Sequence, residues 1–453
     1  MRITGRFSIK NINLLLLISL FLFAVARLLI ANTFTDWDEE LYLIIARGWR
    51  NGLVPYRDIF DHKPPLVYLL YFLFSLGGKS MWLVRLVVTG MLLYALISTS
   101  KSLKKMFALG DFEQLLFITL GIAALSFRGG ITTNTESLYI PALLFAFACL
   151  HQKQIFRASI AGAVALSIKY TTVLDLIGII FTYLAVYRPL RTHAGYCARF
   201  LLWAGLLAAA QYALFGFYFY VHGVNLFHFI VWDNLVHSTD RISMGSLWLR
   251  HGLLFAAYLT SIPTVAWLLS KRRLSNKKFM TGTAIWGGLT LFQAMLTGQY
   301  YPHYFLPFLV PAIIAAANIR VSRLVSVIAV VLLLALAVRT VWTTGKSGYS
   351  FMKKSDDVKA YCPLLQKGYY VLDDISLYRI CDVWHFDKFV FPPFYRDAHF
   401  ARLSASGGLE SLRRKVQDKK IPGIVYVPRE TSLPDKLKSM SYPEMVPLDI
   451  PSN

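Results

Sequence analysis

Long apolar runs alternate with short basic clusters over the first three quarters of the chain. Residues 12–31 form an apolar run of 20 behind Arg2, Arg6 and Lys10. That length crosses the ~30 Å hydrocarbon layer of a bilayer. Ala24-Val25-Ala26 also resembles the small-residue cleavage site of a signal peptide. Under either reading the residues that follow lie outside. Further runs at 82–100, 113–127, 137–151, 157–169, 172–187, 199–221, 247–269, 279–297, 303–318 and 324–342 predict spanning helices. Residues 64–77 are apolar too, but a run of 14 is too short to span and reads as interfacial. That choice also places the basic clusters at 101–105, 153–157, 188–199, 271–278 and 320–323 on the inside, as the positive-inside rule requires. The result is a bundle of about eleven spans. Its N-terminus is cytoplasmic and its first outer loop runs over 32–80.

The pattern changes after residue 342. Residues 343–453 lack a spanning run and carry short β-rich stretches at 369–372, 389–391 and 424–427, with a helix-like stretch at 407–420. An odd number of spans puts this segment outside as a small α/β domain. The expected fold class is therefore a mainly α polytopic membrane protein. A transmembrane domain over 1–342 is joined to an extracytoplasmic α/β domain over 343–453.

Composition excludes two classes. Hydrophobic residues are 56% and charged residues 16%, with mean hydropathy +0.50. Soluble domains carry about 25% charged residues, so neither a soluble enzyme nor a disordered chain fits. The net charge of +22 leaves open a nucleic-acid binder or a topology signal. Residues 343–453 hold 17 basic and 13 acidic residues, leaving 30 and 12 in the membrane part. Eighteen of those 30 bases sit in the cytoplasmic tail and loops, split into short clusters. No single basic face is available for nucleic acid. Four cysteines form no CxxC pair, so no zinc or redox motif is present. Cys362 and Cys381 can pair in an oxidising compartment, or remain as thiols.

Acids are scarce, and the outer loops concentrate them. The first outer loop opens Thr35-Asp36-Trp37-Asp38-Glu39-Glu40. Asp36 reads as a helix N-cap and Glu39 as its capping-box partner. Acids in a first turn also suit the helix dipole. That reading does not require Asp38. Further on, Arg57, His62 and Lys63 stand at the mouth of the interfacial run, where snorkelling is their ordinary role. Pro64-Pro65 fixes the start of the next helix behind Lys63. Glu136 opens a later helix as a dipole-favoured acid, with Thr133 as a cap candidate. Lys169 and Asp175 fall at membrane depth, where ionisable groups are functional by default; a Lys169–Asp175 ion pair is the structural alternative. The outer stretch Tyr300-Tyr301-Pro302-His303-Tyr304 combines interfacial aromatics with one titratable group. The scattered His and Asp of 222–246 have no metal-site spacing.

Taken in order, these motifs resemble the GT-C superfamily that holds the protein O-mannosyltransferases and the aminoarabinose transferases. The resemblance rests on Asp38-Glu39 after the first helix, Tyr56-Arg57-Asp58, Lys63-Pro64-Pro65-Leu66, Asn134-x-Glu136 and Pro302-His303-Tyr304-x-Leu306-Pro307. It implies a GT-C bundle in the plasma (inner) membrane with its active site on the outer face. It also implies a polyprenyl-phosphate-linked sugar donor and an acceptor that is a lipid, protein or cell-wall polymer. Asp38, Glu39 and Glu136 match the catalytic acidic positions. Lys63 matches the lysine that meets the lipid phosphate, with Arg57, His62, Lys169 and His303 as its helpers. Tyr42, Tyr301 and Tyr304 are the substrate-binding candidates. His62 departs from the acidic residue of the aminoarabinose transferases, which puts that donor in doubt and removes a metal ligand. No cofactor is expected, and a divalent metal is left open. The competing classes are a transporter or flippase of lipid-linked sugars and a non-catalytic assembly protein. A transporter favours internal repeats and midplane sites, and the sequence has no repeat.

Overall fold

The computed structural model describes residues 36–76, 80–125, 132–187, 190–233, 276–296 and 302–318. It also describes the segments 362–373, 375–383, 424–427 and 445–446, and scattered residues elsewhere. The expected spans at 12–31, 247–269 and 324–342, the strand at 389–391 and the helix at 407–420 lie largely outside the described residues. So does Tyr301. The chain divides into two compact units. One holds Met1–Ile30, Arg85–Leu214 and Arg241–Gly345; the other holds Ala31–Val84, Phe215–Asp240 and Lys346–Asn453.

The unit that contains the first outer loop begins with α1 (Trp37–Arg50). Asp36 caps it: Glu39 N donates to Asp36 Oδ1 at 2.8 Å and Asp36 N donates to Glu39 Oε2 at 3.1 Å. The capping box read from the sequence is thus formed, satisfying two backbone donors the helix leaves open. Asn51 closes the other end, and Gly52 takes a φ of +89° that its neighbours would not adopt cheaply. The next helix, α2 (Pro65–Phe74), starts on Pro64-Pro65. Its 10 residues rise about 15 Å, half a hydrocarbon layer. Tyr42 of α1 packs edge-on against Tyr68 and Tyr71 of α2, with centroids 6.1 and 5.1 Å away. Gly48 lets Ile59 approach so closely that a Cβ there would meet Ile59 Cδ1 at 2.4 Å.

The C-terminal segments of this unit contribute α11 (Cys362–Gln366), β1 (Tyr370–Asp373), α12 (Ser376–Ile380), β2 (Ile424–Val427) and β3 (Met445–Val446). The three strands form a parallel sheet in the order β1-β2-β3, a pairing that needs crossover connections rather than tight hairpins. A disulfide joins Cys362 to Cys381. Helix α12 packs on α1. Arg379 grips the buried Glu40 carboxylate with Nη2 at 2.7 Å and Nε at 3.1 Å, and Arg47 pairs with Asp382.

The other unit is helical. Its elements are α3 (Trp82–Phe107), α4 (Asp111–Leu125), α5 (Thr135–His151), α6 (Ile155–Ile168), α7 (Val173–Val186), α8 (Leu190–Val221), α9 (Lys277–Leu296) and α10 (Leu309–Ala317), with α3 and α8 reaching past its edges. Among the described residues, Trp82–Phe107 and Arg191–Val221 are long and apolar enough to cross a membrane; the other apolar helices are shorter. The expected run at 303–318 divides into a 3-10 segment, Pro302–Phe308, and α10. Pro307 lacks the amide donor a continuous α-helix needs there. Helices α7 and α9 pack closely because glycine removes the spacing a side chain imposes. A Cβ on Gly178 would meet Trp286 Cδ1 at 2.3 Å, and one on Gly282 would meet Thr182 Cα at 2.8 Å.

Candidate active site

The sequence-predicted residues fall into two clusters, one in each unit. The first surrounds Lys63. Its ammonium lies 3.5 Å from Asp38 Oδ1 and 3.9 Å from Asp61 Oδ1, and 5.5 Å from the centre of the Tyr42 ring. Asp38 stands one residue inside the capped end of α1, so the box that holds Asp36 and Glu39 leaves its carboxylate turned to Lys63. Glu39 itself is fully buried within that box. Lys63 is fixed from behind. The Tyr56 hydroxyl donates to the Lys63 carbonyl at 2.7 Å, and Tyr56 takes a left-handed φ of +70° in the buried turn 55–59. Such a conformation is costly for an aromatic residue and persists only where packing imposes it. Here Tyr68, Phe219 and Phe229 enclose the Tyr56 ring. Phe229 comes from a π-helical turn, His228–Trp232.

Two residues of this cluster escape a reading of the sequence: Asp61 and Tyr68. Asp61 is 1% exposed. Its Oδ1 accepts from His62 N at 2.7 Å, and His62 Nδ1 lies 3.4 Å from the same oxygen. Burial raises the Asp61 carboxyl above the usual carboxylate range, although the Lys63 charge opposes that shift. Tyr68 faces it from α2. Burial, with the Asp61 charge added, holds the Tyr68 phenol well above its usual range; Tyr42 is held likewise by burial and by Asp38. Both phenols are therefore O–H donors at any physiological pH. The available signal was tyrosine at helical spacing in 64–77, which reads equally well as packing. Arg57 is not brought into this cluster. Its exposed guanidinium is occupied by Asp58 at 2.8 and 2.9 Å and by the His222 carbonyl at 3.3 Å.

The second cluster surrounds Glu136. Asn134 caps α5, its side chain accepting from Ser137 N at 3.4 Å, and Glu136 follows in the first turn, fully buried. Lys169 Nζ lies 2.5 Å from Glu136 Oε1 and Thr135 Oγ1 donates to Oε2 at 2.9 Å. Lys169 ends α6 in extended backbone, before the 3-10 turn Tyr170–Thr172 leads into α7. The helix break thus frees the lysine from the helical surface. Its ammonium stands over the Tyr304 ring, 4.4 Å from the centroid, a cation–π distance. His303 lies edge-on to Tyr304 with centroids 4.5 Å apart. Asp175 is not the ion-pair partner of Lys169. It accepts hydrogen bonds from Trp286 Nε1 at 3.0 Å and Thr290 Oγ1 at 2.7 Å, tying α7 to α9. Lys169 reaches Glu136 instead because the break at 169 separates it from the α7 face that carries Asp175.

Each cluster sets a lysine against a buried or half-buried carboxylate beside tyrosine. Such a group can neutralise an anion while keeping an acid or base at hand. Among the described residues no group of three or more His, Cys, Asp or Glu is arranged to hold a metal ion.

No family model matches the chain. No curated protein matches it either. Among solved structures it is similar to ArnT from Cupriavidus metallidurans bound to undecaprenyl phosphate, with a TM-score of 0.60 over 83% of this chain and 85% of that one, at 13% identity. At that identity the likeness is one of fold alone.

Proposed function

We propose that the chain is an integral membrane glycosyltransferase that moves a sugar from a polyprenyl-phosphate donor to an acceptor hydroxyl at the outer membrane face. The observation that carries the proposal is Lys63 set against Asp38 in a chain whose fold follows, over most of its length, a structure that holds a polyprenyl phosphate. Asp38 takes the acceptor's hydroxyl proton as general base. The acceptor oxygen bonds to the anomeric carbon as the bond from that carbon to the phosphate oxygen breaks. The polyprenyl phosphate leaves as an anion, and Lys63 balances its growing charge. Attack opposite the leaving group inverts the anomeric centre. Glu136, held by Lys169, orients the polar partner or sets the charge of its surroundings, with His303 and Tyr304 beside it. Glu39 supports Asp38 through the capping box. Tyr42, fully buried against Tyr68 and Tyr71, backs the Lys63 ammonium. The scheme gives a metal no step. Partial exclusion of water strengthens each charge contact.

The test is transfer by the purified full-length chain from a panel of polyprenyl-phosphate sugars in lipid nanodiscs. Release of polyprenyl phosphate that depends on Asp38 supports the proposal. Full activity in Asp38→Asn removes the base assignment. A flippase reading draws on one observation, the break between α6 and α7 at Lys169, since transporters place sites at such breaks. It predicts movement of intact lipid-linked sugar across liposomes with no bond broken.

A further inference from the structure

Among the described residues, two carboxylates lie beside Lys63, and they differ in access. The Asp38 side chain is 17% exposed and can meet a substrate, whereas that of Asp61 is 1% exposed. Asp61 Oδ2 is buried and faces the Tyr68 hydroxyl of α2. A buried carboxylate needs hydrogen bonds and a counter-charge to offset its desolvation. The position beside Lys63 supplies the nearest opposite charge. Asp61 is held rigidly, by the His62 amide on Oδ1 and by the Pro64-Pro65 start of α2 two residues beyond Lys63.

We propose that Asp61 is a positioning residue, a second and fixed counter-ion that keeps the Lys63 ammonium in place when Asp38 gives it up to the donor phosphate. The inference rests on the transferase reading above. With Asp38 as the lysine's sole counter-ion, the phosphate would have to break an ion pair to reach Lys63. That step would leave the ammonium without an anchor on its long flexible stem. With Asp61 on the other side, Lys63 shifts between Asp38 and the phosphate while staying tethered. Release from Lys63 also leaves Asp38 able to take the acceptor's proton.

This role and a bystander role have opposite signs. Coulomb repulsion alone predicts that removing a negative charge beside an anion site tightens anion binding. A positioning role predicts that it weakens. The probe is undecaprenyl phosphate, titrated onto the full-length chain in nanodiscs, with thermal unfolding run in parallel to confirm folded protein. Asp61→Asn should weaken binding about tenfold, the scale of one lost charge-assisted contact. It should add nothing in a Lys63→Met background, where there is no lysine to position. Equal or tighter binding by folded Asp61→Asn overturns the inference. If Asp61→Asn does not fold, Asp61→Glu, which displaces the carboxylate by one methylene, should weaken binding by a smaller factor; unchanged affinity overturns the inference. The transferase reading fails separately. Wild type that does not bind the probe, or Lys63→Met that binds it equally, removes both, whereas loss in Lys63→Met with none in Asp61→Asn removes only the role of Asp61.

Discussion

Lys169 Nζ sits 2.5 Å from Glu136 Oε1, joining the end of α6 to the first turn of α5 across 33 residues of sequence. Glu136 is fully buried and the Lys169 side chain is 17% exposed. Breaking such a pair from one side strands a charge, which typically costs about 3–5 kcal/mol. Lys169→Met should therefore destabilise the chain by that order. The double variant Lys169→Met/Glu136→Gln should recover much of the loss, because no lone charge remains. Thermal unfolding of the three proteins in the same detergent measures this. A double variant no better than Lys169→Met removes the charge-stranding explanation.

Capping and chemistry are separable at the start of α1. Asp36→Ala removes the cap and should cost about 1 kcal/mol of stability with activity retained. Asp38→Asn leaves the capping box intact and should abolish transfer with an unchanged melting temperature. Measuring transfer and melting side by side distinguishes the two acids.

The Tyr56 hydroxyl holds the Lys63 backbone carbonyl. Tyr56→Phe keeps the ring among Tyr68, Phe219 and Phe229 and removes one hydrogen bond, worth about 1 kcal/mol. The expected result is a rise in donor KM of several-fold with little change in stability. A change in kcat alone would place the effect elsewhere.

Asp61 gives stability a pH dependence of known sign. Its folded carboxyl lies above its unfolded value, so the proton-bound form is favoured by folding. Its contribution is fully present below the unfolded carboxylate range, near about pH 4, and is lost as pH rises through the raised folded value. Stability should fall across that window, and Asp61→Asn should flatten the curve. Melting temperatures taken from pH 4 upward test the sign.

The disulfide encloses β1 and α12, the helix that carries Arg379. Cross-linking a loop of this size is worth about 3 kcal/mol through the unfolded state. Cys381→Ser should lower the stability of this unit by that order and open the stretch 362–383 to protease. Mass mapping of the first cleavage sites shows whether the loss begins there.

Helix positions were legible because apolar run length and basic punctuation are local properties of the chain. The expected runs at 82–100, 137–151, 157–169, 172–187 and 279–297 all fall on helices, and the capping box of Asp36 and Glu39 forms as its spacing requires. The order of the acidic and lysine motifs resembled that of the aminoarabinose transferases, and the chain is similar in fold to ArnT. Partners were not legible. Asp175 was as plausible a mate for Lys169 as any acid, and only the helix break at 169 with the packing of α7 on α9 assigns it to Trp286 and Thr290. Nor does anything local reveal that Glu40 is held by Arg379, 339 residues away.

The sequence by itself therefore determined which segments are helical, where the charged groups gather and which motifs stand in which order. Periodicity, capping and hydropathy act over a few residues and are written in the chain. Tertiary structure alone decided that Asp61 is buried, that Lys63 stands between two carboxylates and that Lys169 belongs to Glu136. Burial and charge pairing depend on groups brought together from distant positions, and their energies exist only once the backbone has closed around them.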